Sequence, residues 1–292
     1  MSGIFDDATT LAHQHLDAPT AEAWLQLVRP AVALVEPTPD DAVVARLGGL
    51  PRLPVGTPWP QLGTSIPLSY VGELDLAALA VTGHKPDIPL PVVGRLAFFV
   101  LDNSDGYGFA DGSDLDSYRV LHLTEEGSPI ATPAGAFTYA EQALTARQVV
   151  TSPDSFDPAL PLAFGVDVDA DYPAWLDHSV QAPAFLDALE HLRGSLPQHQ
   201  VGGWAIAVQG PVEIQAAHAD VRRRSLQLVA DDRTGAVSQD LPSETDQWVL
   251  LFQVDSYDGA QWGDVGTLYW LARTEDLARG DLSNTRFVMQ CC

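Results

Sequence analysis

The sequence predicts an α+β fold in which mixed or antiparallel sheets carry flanking helices. Short runs rich in Val, Leu, Phe, Tyr and Trp recur along the chain and are bounded by Gly, Pro, Asp and Ser, the pattern of strands and turns. Patterns of helical period lie between some of these runs. The apolar fraction is 46% and the charged fraction is 18%, which is typical of a globular protein with a real core.

The first half of the chain begins with a helical pattern over 7–29, followed by a short strand at 31–35. The stretch 46–75 is rich in proline and glycine, which excludes a helix and predicts extended, ordered connections. Trp59 stands between two prolines there, and we expect it to pack into the core, with an exposed stacking surface as the alternative. The other elements predicted in this half are strands at 67–76, 95–101 and 118–123, a short helix at 75–81 and a helix at 138–149.

Proline and aspartate dominate residues 151–177, and this stretch is the predicted boundary between two lobes, 1–150 and 151–292. A single compact domain is the alternative. The second half contains the longest hairpin signal, with strands at 248–254 and 267–271 around a loop rich in turn residues. The other elements predicted there are helices at 183–193, 216–228 and 274–279 and a closing strand at 286–290.

The two halves contain similar stretches, which suggests an internal duplication. One alignment matches 98–106 with 251–259, since both are apolar strands that run into Asp-x-x-Asp-Gly. A second alignment matches 70–75 with 250–255 and places Glu73 opposite Gln253. Strand and turn chemistry also repeats by itself in β-rich proteins, so both explanations stay open at this point.

The net charge of −24 limits the partners. Such a surface repels phosphate, so we expect no binding to nucleic acid or to an anionic membrane, and a basic protein partner or a small molecule is allowed. The longest apolar runs are too short for a membrane span, and the first residues do not resemble a secretory signal. The two cysteines, Cys291 and Cys292, cannot form a disulfide framework. Together these features predict a cytoplasmic protein.

Two loops concentrate aspartates and are candidates for a divalent cation such as calcium, which prefers carboxylate oxygens on flexible loops. Asp102 and Asp105 lie in the first loop, and Asp258 lies in the second. The alternative is that these aspartates cap turns through bonds to the backbone. Glu73 and Asp75 are two apart on a predicted strand and share a face, so they form a possible pair of catalytic carboxylates or the polar edge of a strand.

The order of several motifs resembles the YwqG-like family, a bacterial domain without an assigned function. The motifs are GGLPRLP, TPWP, PLSYVGELDL, VGG with a later Gln209, LLFQVDS, WGDVGTLYW and VMQCC. The resemblance covers about 46–292 and implies an α+β fold with related halves, but it implies no activity, cofactor or catalytic residue. Glu73 departs from the glutamine that the resemblance leads us to expect. Family members often lie near secretion-associated toxin genes.

Three functions follow as hypotheses. The first is a cytoplasmic binding protein, and the second is a metal-dependent or carboxylate-based enzyme with its site between the two Asp-rich loops. The third is an immunity-type protein that neutralises a basic toxin. The candidate binding residues are Trp59, Glu73, Asp75, Gln209, Gln253, Asp255, Trp262 and Asp264. Among these, we expect Gln253, Asp255, Trp262 and Asp264 in and beside the hairpin loop to form the site.

Overall fold

The computed structural model describes residues 2–103, 108–109, 116–154, 157–168, 172–194, 197–220, 245 and 247–291. The helices, together with one 3-10 turn at Ser179–Gln181, are α1 (Ser2–His15), α2 (Ala18–Leu25), α3 (Leu76–Thr82), α4 (Ala159–Ala163), α5 (Tyr172–Leu176), α6 (Pro183–Arg193), α7 (212–220) and α8 (Thr274–Ala278). The strands are β1 (Arg29–Val35), β2 (Ala45–Leu47), β3 (Arg52–Leu53), β4 (Gln61–Leu62), β5 (Ile66–Pro67), β6 (Ser69–Asp75), β7 (Arg95–Val100), β8 (Asp102–Asn103), β9 (Gly108–Phe109), β10 (Tyr118–Leu123), β11 (Ser128–Pro129), β12 (Gln142–Thr151), β13 (His199–Val201), β14 (Trp248–Asp255), β15 (Thr267–Arg273) and β16 (Arg286–Gln290).

One large antiparallel sheet organises the chain, with strand order β10-β7-β6-β2-β12-β1-β13-β14-β15-β16. It is nearly barrel-shaped, because residues from its two ends meet. The hydroxyl of Tyr118 on β10 donates to the carbonyl of Thr285 beside β16 at 3.1 Å, and the Tyr118 ring lies 5.6 Å from Phe287. Strands from both predicted lobes therefore belong to one continuous sheet.

The inner face of this sheet holds the main core. Phe98 on β7 stacks on Phe252 of β14 with ring centroids 4.4 Å apart, and Trp270 of β15 lies 5.1 Å from Phe98. All three side chains are fully buried. Aromatic contacts of this kind add to the free energy of burial and fix how the two halves of the sheet meet.

Three layers cover the outer face. The loop 50–68 packs on β6 and β7 around the buried residues Leu53 and Phe99. The loop 202–211 and α7 pack on β14 and β15. The helices α1, α2, α4 and α6 form a separate apolar cluster against β12. The sheet is therefore buried on both faces over most of its width, which explains why several strands are continuously apolar.

Two strand pairs of the sheet share one pattern of pairing. In β6–β7, Glu73 pairs with Ala97, and the register shifts between Tyr70 and Gly72. In β14–β15, Gln253 pairs with Tyr269, and the register shifts between Leu250 and Phe252. The shift lies at the same distance from Glu73 as from Gln253, which agrees with the second of the two sequence alignments.

Most predicted strands are confirmed, including 118–123 and 286–290, whose bounds agree with the structure. The helix 183–193 and its stop at Gly194 are also confirmed. The helix predicted at 138–149 is wrong, because 142–151 is the strand β12 in the middle of the sheet. The pattern predicted over 7–29 is two helices and the start of β1, and most of the predicted helix 216–228 lies outside the described residues.

Within the described residues, none of the helices has the length and apolar character that crossing a membrane requires.

Candidate functional site

The loop between β14 and β15 is built around the buried side chain of Trp262. The indole Nε1 donates to the carbonyl of Asp255 at 3.1 Å, and the backbone N–H of Trp262 donates to Ser256 Oγ at 3.0 Å. Ser256 Oγ donates to the carbonyl of Gly266 at 2.7 Å. The Asp, Ser and Gly of this loop therefore make the turn bonds that favour them in loops, and Trp262 holds the loop against the sheet.

Asp255 ties this loop to the neighbouring strand β13. Its carboxylate accepts bonds from Thr267 Oγ1 at 3.0 Å and from the backbone N–H groups of Ser256 and Gln198. The backbone N–H of Asp255 donates to His199 Nδ1 at 3.1 Å, so the neutral ring carries its proton on Nε2. Burial lowers the pKa of His199 to about 4, against the opposing effect of Asp255.

Tyr139 contacts both Asp102, the first residue of β8, and Trp262 in the hairpin loop. Its hydroxyl donates to Asp102 Oδ2 at 2.5 Å, and its ring lies edge-on to Trp262 with centroids 4.9 Å apart. Burial, followed by the charge of Asp102, raises the pKa of Tyr139 far above its ordinary value. Tyr139 was not predicted, because it lies in a segment that sequence reasoning assigned to a helix away from both loops.

The tip of the hairpin loop is exposed and contains the one non-glycine residue with a positive φ that is found in the described part of the chain. This residue is Val265, with φ 51°, and its side chain is 58% exposed. A β-branched residue in this region is a genuine outlier, and it persists only where the surrounding bonds impose it. Asp258 and Asp264 lie exposed on the same loop. The tip is therefore a rigid, acidic surface with one apolar side chain.

Gln253 is buried on the outer face of β14 and holds the covering loop in place. Its Oε1 accepts the backbone N–H of Ile206 at 2.9 Å, and its Nε2 donates to the carbonyl of Gln198 at 2.7 Å. Gln290 on β16 acts in the same way, because its Oε1 accepts the backbone N–H groups of Val208 and Gln209. The exposed Gln209 contributes its backbone to the site, and Gln290 was missed although it stands within the VMQCC motif.

Glu73 occupies the corresponding position on β6, and two arginines compensate its buried carboxylate. Arg95 Nη1 lies 2.7 Å from Glu73 Oε2, and Arg52 pairs with Oε1. Arg95 also donates to the carbonyl of Arg52 at 3.0 Å, which fixes the covering loop 50–68. Asp75 caps α3 by accepting the N–H of Ala78, so the two carboxylates have separate partners. Neither arginine was predicted.

Trp59 packs on the outside of the first half of the sheet. Its Nε1 donates to the carbonyl of Leu68 at 2.9 Å, and its ring lies edge-on to Phe99 with centroids 5.6 Å apart. Trp59 is therefore a partly buried anchor of loop 50–68, remote from the contacts made by Trp262.

The described residues contain no group of three or more His, Cys, Asp or Glu side chains arranged to hold a metal ion. Asp102 already accepts the Tyr139 hydroxyl, Asp258 is exposed, and Asp105 lies outside the described residues. The calcium hypothesis therefore stays a prediction.

The fold and the site define an α+β protein with one large antiparallel sheet, whose candidate site is a rigid acidic loop. The model of a family described as a domain of unknown function, DUF1963, matches residues 45–291. The chain belongs to this family. No curated protein matches the sequence.

Proposed function

We propose that the protein is a binding protein and that the hairpin loop 256–266 is its recognition element. The observation that carries this proposal is Val265, an exposed side chain on a strained backbone at the tip of a loop fixed by Trp262. Strain at an exposed position contributes nothing to the core, and strain of this kind clusters at ligand-binding sites. A rigid loop also loses little conformational entropy when it binds.

The charge of the described surface favours a basic polypeptide as the partner. All described arginines except Arg193 form ion pairs within the chain, which leaves the excess of carboxylates in the net charge of −24 uncompensated. Asp264 precedes Val265 directly in the chain, and Asp258 lies exposed on the same loop. Opposite charge on a partner accelerates its association and selects against acidic competitors.

The test measures binding to a panel of Lys- and Arg-rich peptides by biolayer interferometry, at low and at physiological salt. We expect the double variant Asp258→Asn/Asp264→Asn to lose about tenfold in affinity, since each exposed ion pair contributes up to about 1 kcal/mol. The matched control is Asp6→Asn/Asp7→Asn, which removes the same charge from exposed positions on α1. Equal losses in the two double variants would show that only the overall charge attracts the peptides, and the loop would not be the recognition element.

Val265→Asn separates function from stability. Asn tolerates the left-handed backbone region better than Val, so we expect the variant to be more stable by about 1 kcal/mol. The same variant lacks the apolar side chain and should bind the peptides more weakly. Unchanged binding together with higher stability would remove Val265 from the recognition surface.

A second function rests on the contacts of Tyr139 with Asp102 and with Trp262 of the hairpin loop, which would suit a metal-dependent or carboxylate-based activity there. Its test is the melting temperature during titration with calcium, magnesium and manganese. A cation that binds only the folded state raises the melting temperature further with each increase in its concentration above Kd, and Asp102→Asn should abolish that rise. An unchanged melting temperature at millimolar cation would reject this function.

We also propose that the family match corresponds to the YwqG-like proteins, that the protein is cytoplasmic, and that a basic toxin is one form its partner takes.

The shared pairing of β6–β7 and β14–β15 supports a further proposal, an origin of the two halves by duplication. The exchange test is Gln253→Glu. The new carboxylate would face the backbone carbonyl of Gln198, to which the Gln253 amide now donates, and should cost several kcal/mol, whereas Glu73 is compensated by Arg52 and Arg95.

A further inference from the structure

A cavity of about 260 Å³ lies within the helical layer, away from the hairpin loop. Its apolar walls come from three helices and include Trp24 on α2, Leu160 on α4 and Phe185 and Leu189 on α6. These side chains belong to the apolar cluster that covers β12. The volume is below the roughly 300 Å³ at which pockets for drug-sized ligands begin, so the cavity suits a ligand of few atoms.

Arg193 lines this cavity at the end of α6 and differs from the other described arginines. Its guanidinium donates to the carbonyl of Ser152 at 3.4 Å and has no carboxylate within ion-pair distance among the described residues. Burial lowers the pKa of Arg193, the direction expected of a cation that lacks full compensation. An anion placed against the guanidinium would compensate this charge.

Two carboxylates, Asp154 and Glu190, line the same cavity. Both act on Arg193 electrostatically and raise its pKa, so their charges lie near the guanidinium although neither forms an ion pair with it. The cavity thus presents a cation and two anions together with an apolar interior. A simple carboxylate would be attracted by Arg193 and repelled by the two acids. A simple amine would be attracted by the two acids and repelled by Arg193.

We propose that this cavity binds a free α-amino acid with an apolar side chain. The α-carboxylate pairs with Arg193, the α-ammonium group pairs with Glu190, and the side chain packs on Trp24 and Phe185. A zwitterion whose charges are adjacent satisfies both signs of the cavity at once, and the volume beside the apolar walls suits a side chain of the size of leucine or phenylalanine. This site is separate from the recognition loop and does not depend on it.

The test uses L-leucine and L-phenylalanine as probes, with isothermal titration calorimetry and the melting temperature as readouts. We expect saturable binding and a rise in melting temperature with both. Leucinamide lacks the carboxylate, and N-acetyl-leucine lacks the ammonium group. We expect each to bind at least about tenfold more weakly than leucine. Binding of leucinamide as tight as that of leucine would overturn the assignment of Arg193, and no binding of either amino acid at millimolar concentration would overturn the site.

Two variants distinguish a lost ligand contact from a lost fold. Arg193→Gln should reduce the affinity for leucine at least about tenfold. Glu190 is exposed, so Glu190→Gln should fold normally while it weakens the binding of leucine and does not weaken that of N-acetyl-leucine, whose carboxylate loses a repelling charge. Leucine affinity that is unaffected by Glu190→Gln and by Arg193→Gln, in variants with the wild-type circular dichroism spectrum, would contradict the proposal.

Discussion

Glu213 provides the sharpest test of how burial affects this fold. It lies buried in the first turn of α7, where burial raises its pKa from 4.5 to about 7. Asp157 raises the pKa further, while Arg29 and the backbone N–H of Ala205 oppose the rise. Because the folded state holds this proton to a higher pH than the unfolded state does, stability is highest below the unfolded pKa and falls as the pH rises towards 7.

The magnitude follows from the size of the shift. One pKa unit corresponds to about 1.4 kcal/mol, so the shift of Glu213 corresponds to a loss on the order of 3 kcal/mol between about pH 4.5 and 7. His199 acts in the opposite direction, because its lowered pKa of about 4 costs stability as the pH falls below its ordinary value of 6.5. The two groups therefore offset each other between about pH 4.5 and 6.5.

Glu213→Gln removes one of the two opposing contributions to the pH dependence of stability. Relative to the wild type, the free energy of unfolding of this variant should rise by about 3 kcal/mol between pH 4.5 and 7 and then stay constant. Urea denaturation at fixed pH steps, followed by tryptophan fluorescence, measures the difference. The control is Glu22→Gln, an exposed glutamate on α2, whose difference from the wild type should not change with pH in this way. A constant difference for Glu213→Gln from pH 4 to pH 8 would refute the reasoning.

Three further predictions concern the buried polar contacts and the loop anchor. Glu73→Gln should destabilise the protein by about 3 kcal/mol, since it leaves the buried Arg95 without its carboxylate, and a loss below about 1 kcal/mol in urea denaturation would contradict this. Gln290→Ala should cost about 2 kcal/mol by leaving two amides of the covering loop without an acceptor, and hydrogen exchange should accelerate at those amides alone. Trp262→Ala should cost about 3 to 5 kcal/mol and remove the bond to the Asp255 carbonyl, and heteronuclear NMR should show increased motion confined to the hairpin loop.

Local sequence patterns predicted most strands of the sheet, including β1 near its centre, but not its neighbour β12. The strands at 118–123 and 286–290 are short, apolar and bounded by turn residues, so their own residues determine them. β12 was predicted as a helix because Ala, Gln, Glu and Arg favour helices, and its pairing with β1 and β2 overrides that preference. The tertiary contacts that decide β12 lie far away in the sequence, where local periodicity carries no information.

In the candidate site too, local sequence patterns predicted some residues and missed those whose partners are distant in the chain. The aspartates were recognisable because loops favour Asp, and the structure gives both Asp255 and Trp262 well-defined partners. The contacts of Gln290 were not recognisable, because its partners at 208 and 209 are about eighty residues away in the chain. Tyr139 was missed for the same reason, since its contacts with Asp102 and Trp262 depend on how β12 crosses the sheet.

Glu73 and Gln253 show how one structural requirement is met by two kinds of chemistry. Each side chain lies buried on an outer face, two residues beyond a shift in strand register, beneath a loop that needs polar anchors. Gln253 meets backbone groups directly, so a neutral amide with one acceptor and one donor suffices. Glu73 meets the side chain of Arg52 from its covering loop and Arg95 from the sheet, and a neutral amide there would leave two cations facing each other. The departure from glutamine at position 73 is therefore explained by the two arginines around it, and it requires no catalytic role for the carboxylate.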